Sequence, residues 1–224
     1  GHNLNREHQE MTIRKSAFVA IALLTSSLAH AGWSANVGYA SEYHFRGLLQ
    51  KNSSASGGLD YEQGGFYAGT WAADVGDGLE VDLYFGYGGE LEEFAYNVGY
   101  TGYFYTGDTF DDTYQEINLG GSYGLLSVEV AVGEHDLDPL IHGTSGTQDY
   151  TYYAISLEKN GLYGKFGGFA QDFEGEYLEF GYGTTVADID LGVALILAND
   201  DLYGTPGDDE ESVVFTLGKS FDLQ

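Results

Sequence analysis

The stretch Leu79-Glu80-Val81-Asp82-Leu83-Tyr84-Phe85-Gly86-Tyr87 alternates large apolar residues with polar or small ones. Successive side chains of a β-strand project to opposite sides. The segment therefore has one greasy face (Leu79, Val81, Leu83, Phe85, Tyr87) and one wet face (Glu80, Asp82, Tyr84, Gly86). A chain made almost wholly of such strands must hide its greasy faces against a second sheet or in lipid.

Working outward from this segment, alternation and turn signals mark about twelve candidate strands. They fall near 34–46, 54–62, 65–73, 79–88, 93–105, 113–123, 125–133, 149–158, 161–170, 176–185, 187–198 and 212–221. The odd-numbered connections, Gly47–Ser53, Asp74–Gly78, Thr106–Asp112, Glu134–Gln148, Gln171–Gly175 and Asn199–Glu211, read as mostly long. The even-numbered ones centre on Gln63-Gly64, Gly88-Gly89, Gly124, Asn160-Gly161 and Val186 and read as tight. Long loops on one rim and short turns on the other characterise outer-membrane barrels, and an even strand count puts both termini at the short-turn rim. Val213, Phe215, Leu217 and Phe221 share one parity in the last strand, as in a closing strand that barrel-assembly machinery recognises, although Asp222-Leu223-Gln224 follow. The expected fold is all-β: a transmembrane antiparallel up-and-down β-barrel of about twelve strands, with a soluble sandwich as the alternative.

The N-terminal region fits export. After Met11 come Arg14 and Lys15, then the apolar run from Ala17 to Leu24, then Ala29-His30-Ala31, a small-x-small cleavage pattern. The expected organisation is 1–10 as upstream residues, 11–31 as a signal peptide and 32–224 as the barrel domain. The apolar run is too short to span a bilayer as a helix.

Composition narrows the function classes. Glycine stands at 34, tyrosine at 19, proline at 2 and cysteine at none, which argues against a disulfide-stapled secreted module. The formal charge is −27. The leader carries three cations and two acids, which leaves five cations against 33 acids in the remainder. Such a field repels nucleic acid and attracts cations.

Several stretches resemble a known family: Glu42-Tyr43-His44-Phe45-Arg46-Gly47, Gly57-Gly58-Leu59-Asp60-Tyr61, Gly65-Phe66-Tyr67-Ala68-Gly69-Thr70-Trp71 and the opening segment 79–87. They are similar to the TorF-type porin family, a group of uncharacterised proteobacterial outer-membrane proteins. The resemblance is most specific over residues 34–100 and extends as a general strand pattern to Phe221. It implies an outer-membrane barrel with a proposed pore role, and it supplies no catalytic residue or substrate.

If the greasy faces meet lipid, the wet faces line a lumen. Parity puts Asn36, Glu42, His44 and Arg46 on one face of the first strand and Val37, Tyr39, Tyr43 and Phe45 on the other. The lumen-facing candidates are Glu42, Arg46, Glu80, Asp82, Glu116, Glu129, Glu179, Asp188 and Asp190. A ring of carboxylates in a pore favours cations. Arg46, the one arginine after the leader, is either an ion-pair hub or a selectivity element. Trp33, Tyr39, Tyr43, Tyr61, Trp71, Tyr87, Tyr103, Tyr105, Tyr163 and Tyr182 are read as interfacial girdles, with a stacking track from Tyr84 and Tyr114 as the other reading.

Clustered acids at Asp108, Asp111 and Asp112, at Asp136 and Asp138, and at Asp208-Asp209-Glu210-Glu211 lack calcium-loop spacing. They are read as solvated surface or as loose divalent bridges to lipopolysaccharide. No nucleophile elbow and no HExxH motif occurs, and His135, His142 and Ser145 are read as loop residues, so no enzyme and no cofactor is expected. The expected function is passive diffusion of small neutral or cationic solutes through an acidic lumen in the bacterial outer membrane. The alternative is a closed barrel with a receptor, adhesion or structural role. Expected partners are outer-membrane lipid and lipopolysaccharide, small solutes and the barrel-assembly machinery, with no nucleic acid.

Overall fold

The structure is a computed structural model that describes residues 32–107, 113–204 and 210–223. The expected signal peptide and the acidic residues Asp108, Asp111, Asp112, Asp208 and Asp209 lie outside the described residues.

Twelve strands form one closed antiparallel barrel in which each strand pairs with its sequence neighbours and β1 closes on β12. They are β1 (Gly32–Phe45), β2 (Leu48–Gln63), β3 (Phe66–Gly76), β4 (Gly78–Leu91), β5 (Phe94–Tyr105), β6 (Tyr114–Tyr123), β7 (Leu126–Leu137), β8 (Gly146–Lys159), β9 (Leu162–Gln171), β10 (Glu176–Val186), β11 (Ile189–Ala198) and β12 (Glu210–Leu223). Two single-turn helices, α1 (Pro139–His142) and α2 (Asp200–Tyr203), sit in connections, each N-capped by its preceding side chain, Asp138 or Asn199. No helix among the described residues is long and apolar enough to cross a membrane.

The face pattern is that of a membrane barrel. Leu83, Val128 and Leu191 lie on the outside with 50, 43 and 42% of their surface exposed, and they belong to a continuous belt of outward Leu, Val, Ile and Phe. Carboxylates lie on the inside, with Glu80 1% and Glu116 2% exposed. A soluble barrel would reverse these faces, because leaving this much aliphatic surface in water is strongly unfavourable. The chain is therefore a transmembrane antiparallel up-and-down barrel.

The turns differ in detail from the sequence expectation. Every even-numbered connection is two residues: 64–65, 92–93, 124–125, 160–161 and 187–188. The fourth therefore lies beyond Gly88-Gly89, which stay in β4, and the tenth falls at Ala187-Asp188, where both residues have positive φ. Among the odd-numbered connections, 106–113, 138–145, 172–175 and 199–209 are longer. Residues 46–47 and 77 are tight instead. The expected Gly47–Ser53 loop is strand, because Leu48 to Asn52 continue to pair with β1.

High glycine and tyrosine contents have a common structural cause. Tyrosine rings on the inner face lie flat over glycines directly opposite on the next strand: Tyr67 over Gly86, Tyr84 over Gly69, Tyr150 over Gly133, Tyr163 over Gly181 and Tyr177 over Gly167. A β-carbon on Gly86 would stand 2.3 Å from the Tyr67 hydroxyl oxygen, so only glycine leaves room. Trp33, Tyr61, Tyr87 and Tyr182 remain outside, all near the short-turn rim, and Tyr39 is also outside. Tyr43, Trp71, Tyr103, Tyr105 and Tyr163 instead point inward and bond or stack there. They are part of the barrel filling and not of a girdle.

Candidate functional site

The first hairpin leaves the wall. The β1–β12 ladder ends at Ala40–Thr216, and the β2–β3 ladder begins at Ser56–Ala73. Between those points residues 41–55 make ladder pairs only with each other, as far as Phe45–Leu48. Ser41 breaks the alternation: its hydroxyl accepts from the Phe215 amide, and pairing steps from Ala40–Ser54 to Glu42–Asn52 with Ser53 at φ 61°. A second register shift falls between Tyr43 and His44. Bulges of this kind bend a ribbon and re-aim its side chains.

The consequence is a change of facing. Asn36 points inward, as parity predicts, but beyond Ser41 it is Tyr43 and Phe45 that enter the lumen. Glu42 pairs with His44 at 2.9 Å instead of joining the central carboxylates. This corrects the sequence assignment of the first strand; the bulge supplies the reason.

The tip of the hairpin crosses the loop-side lumen. Arg46 and Gly47 form its two-residue turn with φ 51° and 86°, and Arg46 reaches across to β6. Its Nη1 and Nη2 donate to the Glu116 oxygens at 2.8 and 2.6 Å, a bidentate pair. The guanidinium also lies 4.1 Å from the Tyr152 ring centroid and 4.8 Å from that of Phe45. Glu116 accepts further bonds from the Tyr103 hydroxyl (2.8 Å), the Tyr150 hydroxyl (2.8 Å) and Asn118 Nδ2 (2.7 Å). A buried charge requires this degree of satisfaction, since desolvation would otherwise exceed the Coulombic gain.

Outside contacts pin the tip. The Tyr203 hydroxyl of α2 donates to the Gly47 carbonyl at 3.1 Å and accepts from the Leu49 amide at 3.0 Å. Burial raises the pKa of Tyr203, which keeps its proton in place as the donor. Gly47 lies against the Tyr177 ring, where a β-carbon would approach to 2.7 Å. Leu48 packs on the cluster that contains Tyr150, Tyr152 and Tyr177.

The other sequence candidates distribute around this centre. Glu80 accepts from the Tyr43 hydroxyl (2.5 Å) and the Tyr105 hydroxyl (2.7 Å). Asp82, on the same inner face of β4, keeps one buried oxygen without a hydrogen-bond partner. Glu129 lies 3.6 Å from Lys165, Glu179 accepts from Tyr163 at 2.5 Å, and Asp190 accepts from Thr185 at 2.5 Å. Asp188 is in the β10–β11 turn and exposed, so it lines no wall. Sequence reading missed Asp60, which accepts from Asn36 and from Tyr84. Its alternation with Gly58 and Glu62 on the inner face of β2 is the signal that marks it. The internal cavity beside Arg46, lined also by Asn97, Asn118, Glu129 and Tyr152, measures about 30 Å³, room for one or two waters.

His135 is not a loop residue. It ends the inner face of β7, is buried, stacks on Tyr114 at 4.0 Å and bonds Gln148 at 3.2 Å. The expected 134–148 loop shrinks to 138–145 because β7 and β8 pair as far as Leu137–Gly146. Asp138 serves as the cap of α1. Among the described residues, no group of three or more His, Asp or Glu side chains converges as a metal site.

Comparison with known proteins adds the fold and a family. A chain from work on the mechanism of in-meso crystallization of membrane proteins superposes with a TM-score of 0.55 at 12% identity, over 87% of this chain and 84% of that one. Pseudomonas aeruginosa OprD gives 0.41 at 12% identity, over 86% of this chain and 67% of its own. Pseudomonas aeruginosa OccK2 (OpdF), solved with glucuronate, gives 0.40 at 11%, over 78% and 60%. The first supports the barrel fold, and the other two are too distant to carry further argument. No curated protein matches the sequence. Over residues 26–221, and so through all twelve strands, the sequence matches the model of a bacterial protein family of unknown function, and the chain belongs to that family, Gcw_chp.

Proposed function

We propose that the protein is an outer-membrane barrel of porin type, exported by the segment 11–31, that passes small neutral or cationic solutes by passive diffusion. The observation that carries this reading is the distribution of faces: aliphatic side chains outside, and inside a polar lining in which Asp60, Glu80, Asp82, Glu116, Glu129, Glu179 and Asp190 meet Arg46 and Lys165. Acids in excess of bases in a narrow lumen attract cations and exclude anions. The resemblance to the TorF-type porin family points the same way. Outer-membrane lipid, lipopolysaccharide at the acidic loop rim and the barrel-assembly machinery are the partners this reading implies.

Planar-bilayer recording tests it. Stepwise currents with a reversal potential favouring cations are expected, and Glu80→Gln with Asp82→Asn lowers that preference. A folded, inserted barrel that stays silent in every variant refutes the reading. A second reading, a closed barrel with a surface role, is favoured by one specific observation: Glu116 has five donors and the neighbouring cavity is only about 30 Å³.

A further inference from the structure

We propose that the β1–β2 hairpin tip is a plug, and that Arg46 closes the lumen by occupying a cation-recognition cage that a guanidinium- or ammonium-bearing solute would otherwise enter. This rests on the pore reading above and names the regulation of that pore. The cage is the Glu116 carboxylate, the face of Tyr152 and the hydroxyls of Tyr103 and Tyr150. A carboxylate beside an aromatic face is a general solution for holding an organic cation. Here the occupant is the protein's own side chain.

Independent features mark the tip as a part that can leave. Residues 41–55 have no ladder partner in the wall, so displacing the ribbon unzips no strand pair of the barrel. The ribbon departs from the wall at two irregularities, Ser41 and Tyr43/His44, where a bend already exists. Arg46 holds the first position of a turn with positive φ at both residues, a position that ordinarily goes to Asn, Asp or Gly. A long cationic side chain placed there gains nothing for the turn; its reach to Glu116 is what the placement provides.

Contacts that hold the tip are few and polar at the point of closure. They are the Arg46–Glu116 pair and the Tyr203 bridge to Gly47 and Leu49, beside the packing of Gly47 and Leu48. The lumen toward the short turns offers small inward residues, Asn36, Gly38, Ser122, Ser156 and Thr216, none of them buried. A solute entering from that side meets the cage directly.

The test is single-channel recording of the full barrel in planar bilayers with potassium chloride, comparing the unmodified protein with Arg46→Ala and with Arg46→Ala/Glu116→Ala. The double variant removes both charges, so its folding does not depend on a lone buried carboxylate, and heat-modifiable gel migration verifies folding of each. Both variants are expected to conduct at least about threefold more than the parent, because the constriction sets the conductance of a barrel this size. Guanidinium chloride added to Arg46→Ala is expected to block the current again, and to leave the double variant open. Equal currents in all three proteins overturn the plug while the pore reading stands. Silence in all three refutes the pore and the plug with it. An Arg46→Ala current indifferent to guanidinium overturns the cage as the closing contact.

Discussion

Toward the long loops the inward side chains include Tyr43, Tyr103, Glu116, Tyr150 and Tyr152, all buried; toward the short turns they include Asn36, Gly38, Asp60, Ser122, Ser156 and Thr216, none of them buried. The same strands supply both sets. In the loop-side half, tyrosines seat on glycines and converge with their hydroxyls on Glu80 and Glu116, and the first hairpin adds Arg46. In the turn-side half the inner positions are short, and the charges there, such as Lys165 with Glu129, are partly solvated. One half is built as a packed polar core and the other as a lining.

That contrast makes predictions that descend in size. Arg46→Ala is expected to be the most costly, about 3–5 kcal/mol, because it strands a buried carboxylate; urea unfolding of the refolded barrel followed by tryptophan fluorescence measures it. Gly133→Ala follows, at about 1–3 kcal/mol by the same assay. Its β-carbon would stand 2.6 Å from both the Tyr150 ring and the Gln115 carbonyl, and the carbonyl cannot rotate away. Asp190→Asn in the turn-side half is expected to cost less than about 1 kcal/mol, since it keeps an acceptor for Thr185. Gly218→Ala, also facing the turn-side lumen, is expected to change stability by no more than about 0.5 kcal/mol, with the nearest atom at an ordinary 3.5 Å. A large effect at Gly218, or none at Gly133, would break the distinction between the halves.

Much of this architecture was legible in the sequence, and the exceptions share a cause. Alternation located all twelve strands because one face of each is strongly apolar, as in Leu79–Tyr87. β3 is different: Trp71 and Tyr67 lie on the same face as Gly69 and Ala73, while Phe66, Ala68 and Ala72 lie on the other. Both faces look apolar, so alternation cannot tell which one turns inward. Tyr43 was misassigned for a different reason. Nothing local announces that Ser41 will break the ladder, and one slipped residue exchanges the two faces of everything after it.

The candidate site was legible only in its ingredients. Arg46 stands out as the one arginine after the leader, and Glu116 as a wet-face acid, but they are 70 positions apart in sequence. Their pairing depends on a hairpin folding across the barrel, which no spacing encodes. The tyrosine–glycine matches likewise need the register between strands, such as Tyr67 opposite Gly86.

The claim beneath all of this is that the aliphatic belt faces hydrocarbon while the turn-side lumen faces water. Because the chain has no cysteine, single cysteines at Leu83, Val128, Leu191 and Ser122 can carry nitroxide labels without background. Collision with oxygen and with a water-soluble nickel chelate, measured by electron paramagnetic resonance in reconstituted bilayers, reports the solvent of each. Labels at 83, 128 and 191 are expected to see oxygen and little nickel, and the label at 122 the reverse. Nickel reaching the first three as readily as Ser122 would contradict the account.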